Sequence, residues 1–476
     1  MTTSLAVIVF MVVAATVVGL VGRGRGEMNL ERWSVGGRRF GVLLVWLLMA
    51  GGVVVVSLIW SRHDPFLGLN AGFVALAVNV ILTVSSPMTA DLNRDIDALA
   101  PSLVDWRRDF HRHPELAFQE HRTSAVIRTF LEGCGIDVRA CGGTGLRGVL
   151  TGGMPGPTVA LRADMDGLPV AEENEHDYRS ATPGTMHACG HDGHMAILMG
   201  AATTLAAHRA SLAGTVVFLF QPSEENPPGG ARRMIDEGAL EGVDRVFGLH
   251  LWQPLPTGLV GLCKGAMMAQ SDTFEVVITG RGGHASQPHL TIDPVLVASH
   301  IVVAAQSIAS RSVDPLQAVV VSFTTVHGGT VHNIIPNTVT LTGTVRTLDL
   351  AVQRLARQRL QEVCERTAQV FGATAAFTYV EGYPPLVNDG RMVDLVGRVA
   401  LREFGDQQVA TMLPVMGGED FAYYLQHVQG AFVMLGTGTD RPYPHHNARF
   451  DLDERVLPIG VSLMTRVALE MLATSQ

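Results

Sequence analysis

The sequence is short of positive charge. Its 35 Lys and Arg residues face 44 Asp and Glu, a formal net charge of -9 with neutral histidines. Nucleic-acid binders usually carry a basic surface, so that class is disfavoured. Cysteine is scarce as well, with five residues at positions 134, 141, 189, 263 and 364. An odd, irregularly spaced set gives no disulfide framework and fits a reducing compartment. Internal repeats and low-complexity tracts are absent. What the chain does have is length, 476 residues, too many for one compact core. It also has a mean hydropathy of +0.25, high for a soluble enzyme.

Most of that hydropathy lies before residue 86. "SLAVIVFMVVAATVVGLVG" (4–22), "FGVLLVWLLMAGGVVVVSLIW" (40–60) and "FLGLNAGFVALAVNVILTV" (66–84) contain no charged residue. Each is close to the ~20 residues needed to cross a bilayer, so a three-segment transmembrane extension over 1–87 is expected. No Lys or Arg precedes the first run, which disfavours a cleaved signal peptide. The linker 23–39 carries Arg23, Arg25, Arg32, Arg38 and Arg39 against Glu27 and Glu31. The positive-inside rule makes that loop cytoplasmic, and counting crossings places everything after residue 85 in the cytoplasm too. "MNLERWSVGGRRFGVLLVWLLMAGG" is similar to the amino-terminal region of sodium:solute symporters, and "LNAGFVALAVNVILTV" resembles one of their carboxy-terminal helices. That resemblance implies a symporter remnant lacking the substrate and sodium sites. Met88, just after the third run, is an alternative translation start and would leave a cytoplasmic protein.

From residue 88 the pattern is that of a globular α/β protein. "LVDWRRDFHRHPELAFQEHRTSAVIRTFLEGCG" (103–135) reads as helix, break at Pro114, helix. Apolar runs such as "TVALRADMD" (158–166), "TVVFLFQP" (215–222) and "RVFGLH" (245–250) alternate with helical stretches at 195–208 and 231–238. That alternation predicts a mainly parallel sheet covered by helices. Near residue 270 the pattern changes to alternating strands, "SDTFEVVITGRGG", "VVVSFTTVHGG" and "NTVTLTGTVRTL", with two helices among them. The expected organisation is a catalytic domain in two parts, 88–270 and 383–476, interrupted by an inserted α+β domain at 271–382.

The chemistry centres on "HACGHDGH" (187–194). This stretch has neither the C-x-x-C nor the H-x-x-x-H unit of a self-contained zinc site. His187, Cys189 and His191 alternate, so in an extended segment they project to one side, and the next helix is expected to start near Met195. "FLFQPSEEN" places Glu224 and Glu225 just past an apolar strand. Neighbouring carboxylates point in different directions, so one can hold a metal while the other faces substrate, and a cation relieves their repulsion. "VFGLH" ends on His250, and "PHHNARFD" offers His445 and His446. In open parallel sheets, sites form at the carboxyl ends of strands, and residues 189, 191, 225 and 250 are expected there.

"HRHPELAFQEHRTS", "LRADMDGLPV", "HACGHDGH", "FQPSEENPPGGARRMIDEG", "FGLHLWQPLPTG", "GRGGHASQPH", "HNIIPNTVTLTGTVRT", "GGEDFAYYL" and "HHNARFDLDE" occur in the order seen in one zinc metallopeptidase family. Over roughly residues 95–472 the chain resembles its amidohydrolase branch: aminoacylases, hippurate hydrolases and indoleacetyl–amino-acid hydrolases. The resemblance implies Cys189, His191, Glu225, His250 and His446 as ligands of one or two divalent ions (zinc, manganese or nickel), with His445 the alternative to His446. It implies Glu224 as general acid/base and Asp166, beside Asp164, as the acidic residue that steers the first ligand. It further implies His284 as a lid-domain histidine holding the oxyanion, often from the partner subunit of a homodimer. Asn333 and Arg346 are implied as holders of the substrate carboxylate. Without the resemblance these last three read as a turn histidine, a strand-flanking asparagine and a surface-strand arginine. The wider family has His and Asp where this chain has Cys189 and His191, which matches the amidohydrolase branch and leaves one-ion and two-ion forms open. His187, Asp192 and His194 are candidates for orienting ligands. His111, His113 and Glu115 read as a structural helix break. The implied reaction is hydrolysis of N-acyl amino acids. A dipeptidase or N-carbamoyl amidohydrolase is the related alternative, and an inactive membrane-associated symporter–hydrolase fusion the non-enzymatic one.

Overall fold

The computed structural model describes residues 87–438 and 443–474. The expected transmembrane extension lies outside these described residues.

Two helices open the described chain, α1 (Pro87–Arg112) and α2 (His121–Gly133), on either side of the break at Pro114. An eight-stranded sheet follows. From edge to edge it runs β1 (Asp137–Ala140), β2 (Leu146–Thr151), β4 (Ala213–Gln221), β3 (Met154–Asp164), β5 (Arg245–Pro256), β16 (Gln429–Gly438), β6 (Val260–Leu262) and β15 (Val409–Thr411). The central pairs β4–β3, β3–β5 and β5–β16 are parallel, while β1–β2, β2–β4 and β16–β6 are antiparallel. The parallel centre forms because helical crossovers cover both faces. One face carries α1, α2, α3 (His191–Ala207), α7 (Gly390–Phe404) and α9 (Val456–Ala473); the other carries α4 (Gly230–Asp236) and the short α8 (Ala422–Leu425).

Side chains along the central strands alternate between those faces, as pleating requires. Val216, Phe218 and Phe220 of β4 join the core under α3 and α9, whereas Val217 and Leu219 pack toward Met234 and Tyr424. β3 and β5 do the same, with Leu161 and Phe247 on one side and Ala160 and Val246 on the other.

A second sheet is antiparallel and four-stranded, in the order β10 (Val319–His327), β12 (Thr338–Thr347), β8 (Gln270–Thr279), β13 (Thr374–Tyr383). Helices α5 (Pro294–Ser307) and α6 (Leu350–Val370) bury Val297, Ile301, Ala356 and Leu360 against Phe274, Val276 and Ile278 of this sheet. Asp293 and Asp349 cap the two helices through their side chains. Two ribbons complete the fold, β9 (Gly283–His284) with β11 (Ile334–Ile335), and β7 (Gly265–Met268) with β14 (Leu386–Asn388).

Three local expectations change. The helix after the histidine cluster begins at His191, not near Met195. Gly190 sits at φ 86°, a left-handed geometry that turns the chain straight into the helix. β5 does not stop at His250 but continues to Pro256, because β16 pairs with it on one side after the β3 pairing has ended at Gly248. A fourth strand of the second sheet, β13, runs through "TAAFTYVEGY" beside β8.

Candidate metal centre

Three segments converge past the ends of β3 and β4. Asp164 closes β3, and Asp166 follows it by two residues. Glu224 and Glu225 follow β4 by a three-residue step. Asp166 ties these segments together. Its carboxylate accepts the backbone N–H groups of Glu224 (2.9 Å) and Glu225 (3.0 Å), and its backbone carbonyl accepts Nδ1–H of His191 at 2.9 Å. The residue expected to steer the first ligand therefore orients His191 and the glutamate pair.

The histidine tautomers follow from these partners. His191 spends Nδ1–H on Asp166, and His250 spends Nδ1–H on the carbonyl of Leu251 at 2.8 Å. Each is left with an Nε2 lone pair facing inward. Nε2 of His250 is 3.5 Å from Sγ of Cys189. Nε2 of His446 is 3.0 Å from Oε1 of Glu225, and Nε2 of His191 is 4.0 Å from that same oxygen. The donor atoms fall into overlapping groups, each within 4.8 Å: Cys189, His191 and His250; Cys189, Glu225 and His446; His191, Glu224 and Glu225.

A divalent ion fits this set. Nε2 of His191 is buried and makes no hydrogen bond, an arrangement that costs free energy unless something else occupies that lone pair. Burial opposes a charge on His191, yet Asp164 and Asp166 hold its pKa up at about 10. The same negative field favours a cation there. The Cys189 thiol is pushed well up by burial and by Glu225 and Glu224, so a metal would have to displace its proton.

The neighbouring histidines divide sharply. His445 turns away: it donates Nε2–H to the carbonyl of Leu251 at 3.0 Å and stacks on Trp252, centroids 4.7 Å apart. His446 faces Glu225, held by its own N–H on the carbonyl of Ala188 (2.8 Å) at φ 67°. Ser223, just before the glutamates, also has positive φ, 52°. Such conformations cost on the order of 1–3 kcal/mol in non-glycine residues and concentrate at functional sites.

His194 is a support rather than a ligand. The N–H of Leu251 donates to its Nε2 at 2.8 Å, which leaves Nδ1–H for Asp164 at 2.6 Å. Asp192 instead joins Arg107 (2.7 Å) and His111 (2.8 Å). His187 is buried with both ring nitrogens unpartnered, and burial pushes its pKa down to about 4.

Glu224 is 5% exposed. Burial, then Glu419, Glu225 and Asp420, push its carboxyl well above the ordinary range. Behind it lies a charge network that the sequence did not reveal. Arg162, buried, reaches Asp164 (2.7 Å), Gln221 (3.0 Å), Glu419 (3.0 Å) and Asp420 (3.1 Å). An arginine inside the apolar strand "TVALRAD" was the available signal, since such a charge is buried only with partners. Tyr383 was also missed; its hydroxyl donates to the carbonyl of Glu224 at 2.5 Å.

The candidates beyond residue 271 stand apart. His284 is exposed at the end of β9, bonded to Ser286, and the next residue, Ala285, donates its N–H to the carbonyl of Asn333 at 3.1 Å. Neither His284 nor Asn333 bonds to the Cys189 group among the described residues. Arg346, half-buried on β12, bonds Thr344 at 3.2 Å. A Cβ on Gly418, next to Glu419, would lie 3.5 Å from its guanidinium.

Residues 160–470 match the model of peptidase family M20/M25/M40. The chain belongs to this family. The N-acetyl-L-cysteine deacetylase of Bacillus subtilis (strain 168) is 41% identical over 364 residues, 76% of this chain and 86% of that protein. Thermostable carboxypeptidase 1 of Saccharolobus solfataricus is 38% identical over 379 residues, 78% of this chain and 95% of its own length. The crystal structure of the YXEP protein of B. subtilis, described as a dinuclear metal-binding peptidase of the M20 family, has a TM-score of 0.70 at 36% identity. It covers 80% of this chain and 99% of its own. This M20 chain is a metal-dependent hydrolase of amides.

Proposed function

We propose that this M20 hydrolase cleaves the amide bond of N-acyl amino acids, with Glu224 as general acid/base. Cys189, His191, Glu225, His250 and His446 would hold one or two divalent ions of zinc, manganese or nickel type. The observation that carries the proposal is the pairing of a buried Glu224 with this inward-facing donor set, both anchored on Asp166.

When bound, the ion supplies Lewis acidity, lowering the pKa of water toward ~7 and polarising the substrate carbonyl. The protein's own groups do the rest. Glu224, its proton affinity raised by burial and by Glu419 and Glu225, takes a proton from the attacking water at its carboxylate. It then delivers that proton to the departing amide nitrogen. Asp166 fixes the backbone on which Glu224 and Glu225 sit, and Tyr383 holds the carbonyl of Glu224.

The substrate reading rests on what two relatives share. N-acetylcysteine and the carboxyl-terminal end of a peptide both present an amide nitrogen on an amino acid with a free carboxylate. Arg346 and Asn333 are proposed to hold that carboxylate, Arg by its bidentate fork, and His284 to stabilise the oxyanion. In this reading residues 271–382 form a lid and dimerisation domain inserted between catalytic parts 88–270 and 383–476. His284 would then act within a homodimer. Residues 4–84 are proposed to tether the enzyme to the cytoplasmic face of a membrane, on the strength of their three uncharged runs; recovery of the full chain in a carbonate-washed soluble fraction would overturn this.

The carboxypeptidase relative favours a second reading, cleavage of the last peptide bond. The test is the purified enzyme on a panel of N-acyl amino acids, N-carbamoyl amino acids and dipeptides, with and without chelator. Chelator-sensitive release of free amino acid, fastest from the acyl substrates, is expected. Preference for dipeptides would favour the second reading, and no release from any substrate would reject both.

A further inference from the structure

Away from the Cys189 group, three potential ligands meet where α1, the segment after β3 and the first turn of α3 come together. They are His111, in the last turn of α1, and Glu172 and His176 in the loop. Nε2 of His111 lies 3.2 Å from Oε1 of Glu172, and Nε2 of His176 lies 3.2 Å from that same oxygen. All three donors fall within 4.8 Å of one another. We propose that His111, Glu172 and His176 form a second, non-catalytic binding site for a zinc-like divalent ion.

The spacing suits such an ion. Donors placed tetrahedrally at ~2.0–2.1 Å from zinc stand about 3.3 Å apart. The groups behind the donors suit it too. Nδ1 of His111 is 2.8 Å from Oδ2 of Asp192, the carboxylate–histidine–metal arrangement that fixes the tautomer and directs Nε2 at the ion. Glu172 is held by Ser180 N–H on Oε2 at 2.7 Å and by Asn174 on Oε1 at 3.1 Å. His176 is held by stacking on Tyr178, with centroids 3.7 Å apart. Both of its ring nitrogens are shielded from solvent and make no hydrogen bond.

Charge points the same way. Asp192, Glu172, Asp451 and Glu454 carry four negative charges in this hydrogen-bonded network, against the guanidiniums of Arg107 and Arg108. A divalent ion on neutral imidazoles balances the remaining two. The site shares no ligand with the Cys189 group. An ion here would pin the 172–180 loop to α1 and, through Asp192, to the turn that carries His191.

The test is metal content per chain after chelator stripping and re-equilibration of the full-length protein with Zn²⁺ alone. Wild type is expected to hold one more zinc than His176→Ala and His176→Leu. His446→Ala should retain this ion, and losses from His446→Ala and His176→Ala should add in the double variant. Equal zinc content in wild type and both folded His176 variants would overturn the site. If those variants fail to fold, diffraction at the zinc edge from zinc-loaded wild-type crystals decides. An anomalous peak bounded by His111, Glu172 and His176 supports the site, and its absence overturns it. Loss of zinc confined to His446→Ala would leave the catalytic reading standing and remove this one.

Discussion

The hydroxyl of Tyr383 donates to the backbone carbonyl of Glu224 at 2.5 Å. Tyr383 ends β13 of the four-stranded sheet, and Glu224 follows β4 of the eight-stranded one, so this bond joins the two sheets at the proposed base. Burial pushes the phenol's pKa far up, helped by Asp420 and Glu224, so it stays a donor at any working pH. Tyr383→Phe leaves a buried carbonyl short of a partner, at a cost of about 1–3 kcal/mol. Denaturant unfolding should show that loss and kcat should fall, with metal content unchanged; a variant equal to wild type in both would show that the bond is incidental.

Glu224→Gln should lower kcat by about 10²–10⁴-fold, the usual contribution of a general acid/base. The glutamine keeps the shape and the backbone hydrogen bond to Asp166, so metal content and fold should remain. Retention of more than a tenth of wild-type kcat would assign the proton transfer to another group.

Arg162 is the guanidinium that joins Asp164, Glu419 and Asp420 in one buried hydrogen-bonded cluster. Removing one partner from such a cluster typically costs about 3–5 kcal/mol, because the other charges stay buried and uncompensated. Arg162→Met should therefore unfold at markedly lower denaturant. A midpoint within error of wild type would mean that the carboxylates simply protonate.

How far the sequence led can be judged residue by residue. His250 lies inside β5, and Cys189 and His191 stand at the start of α3 rather than at a strand end. The glutamate pair was legible because its motif follows the end of β4, where parallel sheets build sites. The start of α3 was not, because it depends on one backbone angle at Gly190. Asp192 reads from sequence as a candidate for orienting ligands, yet its partners are Arg107 and His111, 85 and 81 positions away. Arg162 and Tyr383 act through still more distant partners, Glu419 and Glu224, 257 and 159 positions away, which periodicity cannot pair. His111 reads from sequence as part of a structural helix break, since its partner Glu172 lies 61 positions away.

Cys364 offers a pH test remote from any proposed metal. It is fully buried in α6, and burial raises its thiol pKa to about 12, against ~8.5 in an unfolded chain. A raised folded pKa contributes stability that is complete below the unfolded value and is lost as pH rises toward the folded one. By pH 10.5 the unfolded thiolate should cost roughly 2–3 kcal/mol. Cys364→Ala removes this dependence, so the two Tm curves should converge between pH 8.5 and 10.5. Parallel curves would show that the folded thiol ionises normally.

His445 and His446 are adjacent in sequence and opposite in role. His446 directs Nε2 at Oε1 of Glu225, 3.0 Å away, whereas His445 has committed its Nε2–H to the carbonyl of Leu251 and its face to Trp252. Burial lowers the pKa of His445 to about 4, while Glu225 raises that of His446; a cation beside Glu225 would take the place of that proton. His446→Ala should therefore lose metal, read by elemental analysis after dialysis, and lose activity with it. His445→Phe should keep its metal, since the ring still stacks on Trp252 and the carbonyl of Leu251 still accepts from His250. The reverse pattern would exchange the two assignments, and equal retention in both variants would remove this loop from the ligand set.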